Sequence, residues 1–335
     1  MTDSINTLVS IIIPVFNSEP FLNKCLDSVI QQTYQYIEII LINDGSTDKS
    51  PKIIDEYASM DSRIVAIHKA NGGIGSAYKA AFEVMAGDYV LFVDSDDWLE
   101  LNAVERLLKL AVDNDADMVS FGIKAINLQG VEVNLKNFKN IEHINTNNEA
   151  ILKTHFEVLK HPTLVRLYKQ KLFNNIVVFD QNIGIDEMLT PQLLAKCNLA
   201  VYTSEVYYNV LVRQDSVCRA AYNEKKIRET IKVYRFLCNF FEQLIPRYAA
   251  YIQLKYLAVL VSFFHQSVGN KKLMQENTIK IVKKDLKDLY YKVEGLSLFQ
   301  EESLNFRTRV LLVVHSPVIY KIIFNSLRLI KSKQP

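Results

Sequence analysis

Apolar and polar residues follow one another along the first third of the chain in an order that predicts strand-then-helix units. Continuous apolar, β-branched runs are typical of strands buried on both faces, and they span residues 8–15, 37–42, 63–68 and 88–93. Helical spacing follows these runs, over residues 19–32, 49–60, 75–86 and 97–113. A further strand is predicted near 117–123. Units of this kind in succession indicate an α/β fold, a doubly wound α/β/α layer sandwich.

The pattern changes after residue 126. Residues 127–148 are polar and irregular, and residues 149–218 mix short helices with strands. Helical spacing then returns over 223–265, 277–292 and 306–331. We therefore expect a core domain over 1–218, made of the halves 1–125 and 126–218, and a helical C-terminal extension over 219–335.

Composition narrows the class of protein. The chain has 335 residues, and its 49% hydrophobic content is enough to bury a sizeable core. The net charge of +2 argues against nucleic-acid binding. The first residues lack a signal-peptide pattern, and no run of about 18 apolar residues predicts a membrane span. The cysteines lie far apart without paired spacing, which argues against zinc and disulfides and favours a reducing, cytoplasmic compartment. They are Cys25, Cys197, Cys218 and Cys238.

Three aspartates follow the fourth predicted strand: Asp94, Asp96 and Asp97. Like charges this close repel one another unless a cation or hydrogen bonds compensate them. Asp97 with Glu100 fits a capping box at the start of a helix, but capping accounts for only one of the acids. A hard divalent ion accounts for the rest, because Mg²⁺ or Mn²⁺ takes one or two carboxylates together with phosphate oxygens of a substrate. The cluster therefore predicts a metal site that neutralises a departing nucleotide diphosphate.

The other strand-end loops carry polar residues at the edge where open α/β sheets bind ligands. Asp44 lies in an Asn-Asp-Gly-Ser turn and is expected to accept hydrogen bonds from a base or ribose. Phe16 is either a core residue or a stacking surface for a nucleobase. The glycines after Asn71 match neither a P-loop nor a dinucleotide fingerprint, so they predict a close backbone approach to a ligand.

These residues together resemble a known family. Residues 8–122 closely resemble the nucleotide-binding core of family 2 glycosyltransferases, and the matching stretches are VSIIIPVFNSEPFLNKCLDSVIQQTYQYIEIILINDGSTDKS, KANGGIGSA and GDYVLFVDSDDWLE. The resemblance implies the GT-A fold and an inverting glycosyltransferase of bacterial polysaccharide, O-antigen or capsule synthesis. It implies a nucleotide-sugar donor, usually a UDP-sugar, that is bound by residues 1–125. Residues 126–218 would then form the acceptor side.

Carried over by position, the resemblance assigns donor-binding roles. Pro14, Phe16 and Asp44 would hold the base and ribose. Asp94 would lie near the ribose, and Asp96 would bind Mn²⁺ or Mg²⁺. The further donor-binding candidates are Asn17, Glu19, Asn71, Gly73, Lys79, Ser95 and Arg213.

The family's catalytic base is an acid in a Glu-Asp pair at the start of a later helix. The equivalent stretch here reads Gly184-Ile185-Asp186-Glu187, which makes Asp186 the candidate base and leaves Glu187 as the alternative. A helix N-cap is the purely structural alternative for Asp186. The flanking stretches TLVRLYKQKLF (163–173) and YYNVLVRQDSV (207–217) also resemble the family.

Two positions depart from the family pattern. Ile185 replaces the usual first acid of the pair, and Tyr78-Lys79 stands where family members often carry Arg-Asn. On the acceptor side the candidates are Trp98, Glu187 and Ser216. Trp98 is either a platform for a sugar or a core residue. Ser216 and Arg213 are expected to reach the diphosphate or the acceptor.

Residues 306–331 combine apolar residues with five cations, and no acid follows Glu302. A basic amphipathic helix is typical of membrane surfaces, and the alternative is a helix packed on the core with a solvated basic face. We therefore expect a cytoplasmic enzyme in peripheral contact with the inner face of the membrane, acting on a glycan or lipid-linked acceptor. The same helices offer a homodimer interface as an alternative.

Other classes of protein fit less well. A receiver domain of the flavodoxin-like class needs an acid pair after its first strand, and here that loop reads Pro-Val-Phe-Asn. A nucleotidyltransferase needs a glycine-rich, basic first loop, which this sequence lacks. A non-catalytic binding or assembly subunit with the same fold is expected to have lost the metal-binding acids, yet Asp94 and Asp96 are present.

Overall fold

The structure is a computed structural model that describes residues 7–134, 142–159, 165–213, 223–269 and 275–320. The chain divides into two compact units, Met1–Arg219 and Ala220–Pro335. Each unit has its own cluster of buried apolar side chains.

Parallel strands form one side of the sheet in the first unit. They are β1 (Val9–Val15), β2 (Ile37–Asp44), β3 (Ile64–Lys69) and β4 (Tyr89–Phe92), paired in the order β3-β2-β1-β4. Each begins within about one residue of its predicted position. Most residues of β1, β2 and β4 are buried, because helices cover both faces of a parallel sheet. Their carboxyl ends therefore meet at one edge.

Helices α1 (Leu22–Ile30), α2 (Ser50–Met60) and α3 (Ile74–Val84) connect these strands. In α1 the residues Cys25, Leu26 and Val29 are fully buried. Their spacing of three and four residues places them on one helix face, which packs in the core cluster with β1 and β2. The α/β layer fold predicted from the sequence is thus confirmed.

The sheet continues through strands that the sequence predicted only in part. The added elements are β5 (Trp98–Leu99), α4 (Ala103–Asp113), β6 (Met118–Asn127), β7 (His143–Asn145), α5 (Asn148–Lys153), a π-helical turn (Thr154–Leu159), β8 (Arg166–Lys169), a 3-10 turn (Gln170–Phe173), α6 (Ile185–Lys196) and β9 (Ala200–Val212). In the described residues the full strand order of the sheet is β3-β2-β1-β4-β8-β6-β9-β5, with β7 also paired to β9. Strand β8 lies antiparallel between β4 and β6.

The helix predicted over 97–113 begins later than expected. Trp98 and Leu99 form β5, which pairs with β9, and α4 begins at Ala103 with Asn102 as its N-cap. The carboxylate of Asp97 instead accepts a hydrogen bond from the backbone N–H of Leu211 at 2.8 Å. The capping-box interpretation of Asp97 with Glu100 is therefore wrong. Strand β9, more than a hundred residues further along the chain, instead pairs with β5 and donates a hydrogen bond to Asp97.

The second unit is helical. Its helices are α7 (Glu224–Leu244), α8 (Pro246–Gly269), α9 (Glu276–Val293), α10 (Ser297–Gln300) and α11 (Leu304–His315). The single helix predicted over 223–265 is divided before Pro246, and the helix predicted over 306–331 is interrupted before Pro317, because proline lacks the N–H that a helix interior needs. Residues 321–331 lie outside the described residues. None of the helices in the described ranges is long and apolar enough to cross a membrane.

Candidate active site

The loops after β1 and β2 are joined by reciprocal hydrogen bonds. The Asn17 N–H donates to Ser46 Oγ at 3.0 Å, and Asn17 Oδ1 accepts from the Thr47 N–H at 2.8 Å. Glu19 accepts from the Lys49 N–H at 3.1 Å and pairs with its ammonium at 3.0 Å. Asn17 adopts a left-handed backbone (φ +50°), which asparagine tolerates. Asn17 and Glu19 thus brace the two loops at the edge where we expect the donor.

Two apolar residues at the end of β1 differ in exposure. Phe16 is 51% exposed, which excludes the core alternative and leaves its ring accessible for stacking. Pro14, inside the strand, is only partly buried and lies next to Ile42 of β2.

Asp44 ends β2 and is nearly fully buried. Its Oδ1 accepts from the ammonium of Lys69 at 2.7 Å and from the Gly72 N–H at 2.9 Å, and its Oδ2 accepts from the Gly73 N–H at 2.8 Å. Gly73 has φ +85°, a conformation that favours glycine. The carboxylate therefore organises residues 71–73, called here the glycine loop. Among the residues that the structure describes, Gly73 is the one donor to Oδ2, which leaves a lone pair for a further donor. Asn71, at the start of this loop, is exposed.

The acids after β4 converge on one point. One carboxylate oxygen from each of Asp94, Asp96 and Asp97 lies within 4.8 Å of the other two. Ser95, between them, is buried and shares a 2.6 Å hydrogen bond with Ser18. This bond ties residues 94–97, called here the acid loop, to the loop after β1. Carboxylate oxygens are the ligands that Mg²⁺ prefers, so this donor set fits the expected divalent ion.

The electrostatics of the cluster favour an added cation. Burial raises the pKa of Asp97 to about 7, and the neighbouring charge of Asp96 adds to the rise. Burial also raises the pKa of Asp94 well above its ordinary value, and so do the charges of Asp97, Asp96 and Asp186. A guanidinium balances part of this charge, because Arg213 Nη2 lies 2.7 Å from Asp96 Oδ2. A bound cation would favour the ionised carboxylates further.

Strand β9 also contacts the acid loop. The Tyr208 hydroxyl accepts from the Asp94 N–H at 2.9 Å, and Tyr208 also pairs with Leu99 of β5. Arg213 leaves the end of β9, and its guanidinium lies 4.7 Å from the centre of the Phe21 ring. Sequence reasoning missed Tyr208 and Ser18. The resemblance of 207–217 to the family was the only signal for Tyr208.

The candidate base lies at the start of α6. The N-cap of this helix is Gly184 (φ +74°), so the N-cap alternative for Asp186 is wrong. Asp186 is half-buried, and its charge raises the pKa of both Asp94 and Tyr78, which places it within electrostatic range of the acid cluster. Glu187 is exposed. The fold therefore brings Asp186 to the edge that also carries Asp44, Asp94 and Asp96.

The structure also shows the surroundings of the two positions that depart from the family pattern, Tyr78-Lys79 and Ile185. Tyr78 is fully buried with its ring 5.0 Å from that of Phe92, and within the described residues its hydroxyl has no hydrogen-bond partner. Lys79 pairs with Asp180, with 2.6 Å between Nζ and Oδ1. Ile185 is buried.

The acceptor-side candidates are only partly described. Trp98 is half-buried, and the ammonium of Lys24 lies 3.0 Å from the centre of its ring. One face of the Trp98 ring thus carries a cation. Ser216 lies outside the described residues.

Comparison with known proteins identifies the class. The model of the family described as "Glycosyl transferase family 2" matches residues 10–177, and the chain belongs to this family. It therefore carries a family 2 glycosyltransferase domain, and the resemblance on which the sequence analysis relied is confirmed.

Individual relatives with known names are consistent with this family assignment. Glycosyltransferase GlyA of Streptococcus pneumoniae serotype 4 is 34% identical over 220 residues, which cover 63% of this chain and 31% of GlyA. Poly(ribitol-phosphate) beta-glucosyltransferase of Bacillus spizizenii is 31% identical over 219 residues, which cover 62% of this chain and 32% of that enzyme. The match spans about a third of the length of these curated relatives. The crystal structure of residues 1–349 of S. aureus TarS has the same fold, with a TM-score of 0.70 and 18% identity over 96% of this chain and 91% of TarS 1–349.

Proposed function

We propose that the protein transfers a sugar from a nucleotide-sugar, a UDP-sugar, to a hydroxyl group of a glycan or lipid-linked glycan during synthesis of a surface polysaccharide. S. aureus TarS 1–349, which has the same fold, has been crystallised with UDP and with UDP-GlcNAc, and this supports a UDP-sugar as the donor. The relative named for poly(ribitol-phosphate) supports a polymer as acceptor. The observation that carries the proposal is the cluster of Asp94, Asp96 and Asp97 carboxylates at one edge of the sheet, which lies within electrostatic range of Asp186.

The donor-binding part of the proposal follows the strand ends. The exposed ring of Phe16 stacks on the base beside Pro14, and the remaining lone pair of Asp44 accepts from the base or ribose. Asn71 and Gly73 bring backbone close to the donor. Asp94 and Ser95 lie at the ribose, and Arg213 moves from Asp96 to the diphosphate when the donor binds.

Asp96, with help from its neighbouring acids, would hold Mn²⁺ or Mg²⁺, which when bound stabilises the negative charge on the leaving diphosphate. Asp186 accepts the proton of the acceptor hydroxyl as the oxygen attacks the anomeric carbon from the face opposite the nucleotide. The new glycosidic bond forms as the bond to the diphosphate breaks, so the configuration at that carbon inverts. Trp98, exposed Glu187 and Ser216 belong to the acceptor side.

The test is metal-dependent release of nucleotide. The protein is incubated with Mn²⁺ and a panel of UDP-, GDP- and dTDP-sugars, alongside Asp96→Asn and Asp186→Asn. We expect release from one UDP-sugar that chelator and Asp96→Asn abolish. Asp186→Asn should abolish release but keep UDP binding. Asp113→Asn is the matched control, because Asp113 is an exposed acid on α4 that pairs with Lys109. Normal turnover by Asp186→Asn would refute the base assignment.

A non-catalytic binding subunit is the outcome that would replace this proposal. It requires that no nucleotide-sugar bind in a metal-dependent way, which calorimetry measures directly. Binding without release would instead call for a search of acceptors, because glycosyl transfer needs both substrates.

Contact with an anionic membrane surface is the part of the proposal that concerns α11. Leu304 and Leu311 are 72% and 42% exposed and stand two helical turns apart on one face of α11, and Arg309 of the same helix is also exposed. Sedimentation with phosphatidylglycerol vesicles should weaken in Leu311→Ser and remain unchanged in Leu128→Ser, an equally apolar exposed position in the first unit. A doubled mass by light scattering, lost in Leu311→Ser without loss of vesicle binding, would assign this face to a homodimer.

A further inference from the structure

We propose that Lys79 and Asp180 are positioning residues, which fix the segment carrying Asp186 against α3. Residues 179–187 are called here the base segment. The inference rests on the proposed function, in which Asp186 is the base. It assigns to Lys79 a role other than donor binding.

Hydrogen bonds to Asp44 hold the glycine loop at the start of α3 in place. Asp44 anchors the N–H groups of Gly72 and Gly73 to the end of β2, as described above. A methyl group at Gly73 would lie 2.7 Å from the backbone carbon of Gln181, closer than side-chain carbons approach backbone. The glycine loop and the base segment are therefore in direct backbone contact.

The contact continues along the first turn of α3. The Gly75 N–H donates to the Gln181 carbonyl oxygen at 3.1 Å, and the Ile74 N–H donates to Asn182 Oδ1 at 3.2 Å. A methyl group at Gly75 would lie 2.0 Å from the Phe179 carbonyl oxygen and 2.8 Å from Ile185 Cδ1. Ile185 stands where the family carries its first acid, and its apolar side chain packs on α3.

The ion pair adds a second point of attachment. Lys79 follows Gly75 by one helical turn, so both lie on the same face of α3. Its Nζ lies 2.6 Å from Asp180 Oδ1, and the two side chains are 43% and 56% exposed. An exposed pair contributes little to the stability of the fold. Two attachment points one turn apart do, however, define the direction in which the base segment leaves α3, and with it the position of Asp186.

The consequence should appear in catalysis. A general base must lie within hydrogen-bond reach of the proton that it removes, and small displacements of reacting groups are costly. Loss of the pair should therefore lower kcat while the donor binds as before. A lysine that bound the diphosphate would instead raise KM when it is removed.

The experiment compares Lys79→Met, Asp180→Asn and the combined charge exchange Lys79→Asp with Asp180→Lys, all in the full chain. Steady-state kinetics use the UDP-sugar that the release panel identifies. We expect kcat to fall about tenfold in each single variant, with KM within about twofold, and most of kcat to return in the exchange variant. Lys109→Met is the matched control, because it breaks an exposed pair of 2.7 Å on α4.

Hydrogen exchange followed by mass spectrometry gives a readout that does not depend on turnover. Amides of the base segment should exchange faster in the single variants and return to the wild-type rate in the charge exchange. A raised KM in Lys79→Met that Asp180→Asn does not reproduce would overturn the inference, as would unchanged amide exchange in both variants. If the wild-type protein neither binds any nucleotide-sugar in a metal-dependent way nor releases nucleotide from it, the proposed function fails, and the amide exchange rates still decide whether the pair holds the segment.

Discussion

Two aspartate clusters lie at opposite edges of the same sheet and are neutralised in different ways. At the amino edge, before β6, Asp115 lies 2.5 Å from the ammonium of Lys169, and Asp117 lies 2.7 Å from that of Lys171. At the carboxyl edge, Asp94, Asp96 and Asp97 crowd together, and Arg213 is the cation that the described residues pair with them.

The pKa values of the two clusters move in opposite directions. Burial alone would raise the pKa of Asp117, but hydrogen bonds from Lys171 and from the Asn198 N–H outweigh it and the net shift is downward. At the carboxyl edge burial and like charge together raise the pKa of Asp94 and Asp97. The amino-edge acids are thus matched by cations of the chain itself. The carboxyl-edge acids are left short of positive charge, as expected of a site whose cation arrives with the substrate.

Asp96→Asn should give the largest contrast between the clusters. A divalent ion stabilises a developing diphosphate by several kcal/mol, so loss of the carboxylate should lower kcat by about 10³-fold. Asp117→Asn should leave kcat within about twofold, since that site touches no substrate. Equal loss of activity in Asp96→Asn and Asp117→Asn, at a temperature where both are folded, would contradict the assignment of the substrate site to the carboxyl edge alone.

Gly75→Ala tests the close packing of α3 against the base segment at the carboxyl edge. Alanine inside a helix is usually more favourable than glycine by about 1 kcal/mol. Here a methyl group would meet backbone of the base segment at 2.0 Å, so we expect a loss of about 2–3 kcal/mol in the free energy of unfolding. Urea denaturation measures it, and a gain in stability would show that the base segment is not packed on α3.

Added metal should stabilise the carboxyl edge alone. With Mn²⁺ and UDP at about a hundred times their dissociation constants, linkage predicts about 2.7 kcal/mol of stabilisation. Thermal unfolding should show the shift in wild-type protein and in Asp117→Asn, and chelator should reverse it. An equal shift in Asp96→Asn would mean that the ion binds elsewhere.

The smallest expected effect concerns pH at the amino edge. Because the folded-state pKa of Asp117 is lowered, its stabilising contribution is present above the unfolded value of about 4 and is lost as the pH falls through the folded pKa. Asp117→Asn should therefore cost about 1 kcal/mol at pH 7 and progressively less below pH about 4. Chemical denaturation at several pH values measures the difference. A cost that does not change with pH would assign the loss to packing rather than to the charge.

Much of the donor side could be predicted because its signals are local. Apolar runs of strand length predicted β1 to β4, and the polar residues just after them predicted Asp44 and the acid cluster at the carboxyl edge. These interpretations depend only on residues adjacent in the chain. The family resemblance then added Asp186, which no local pattern distinguished from a helix cap.

Contacts between distant parts of the chain were decided by the tertiary structure. Asp97 lost its predicted capping role because Leu211 of β9 donates to it, and the Asp94 backbone is held by Tyr208. Lys79 forms an ion pair with Asp180 because α3 and the base segment are in backbone contact. The sequence alone determined the order of β1 to β4 and of the helices between them, the edge that carries the chemistry and the family. Which side chains meet there depended on pairings across more than a hundred residues, whose partners no periodicity along the chain specifies.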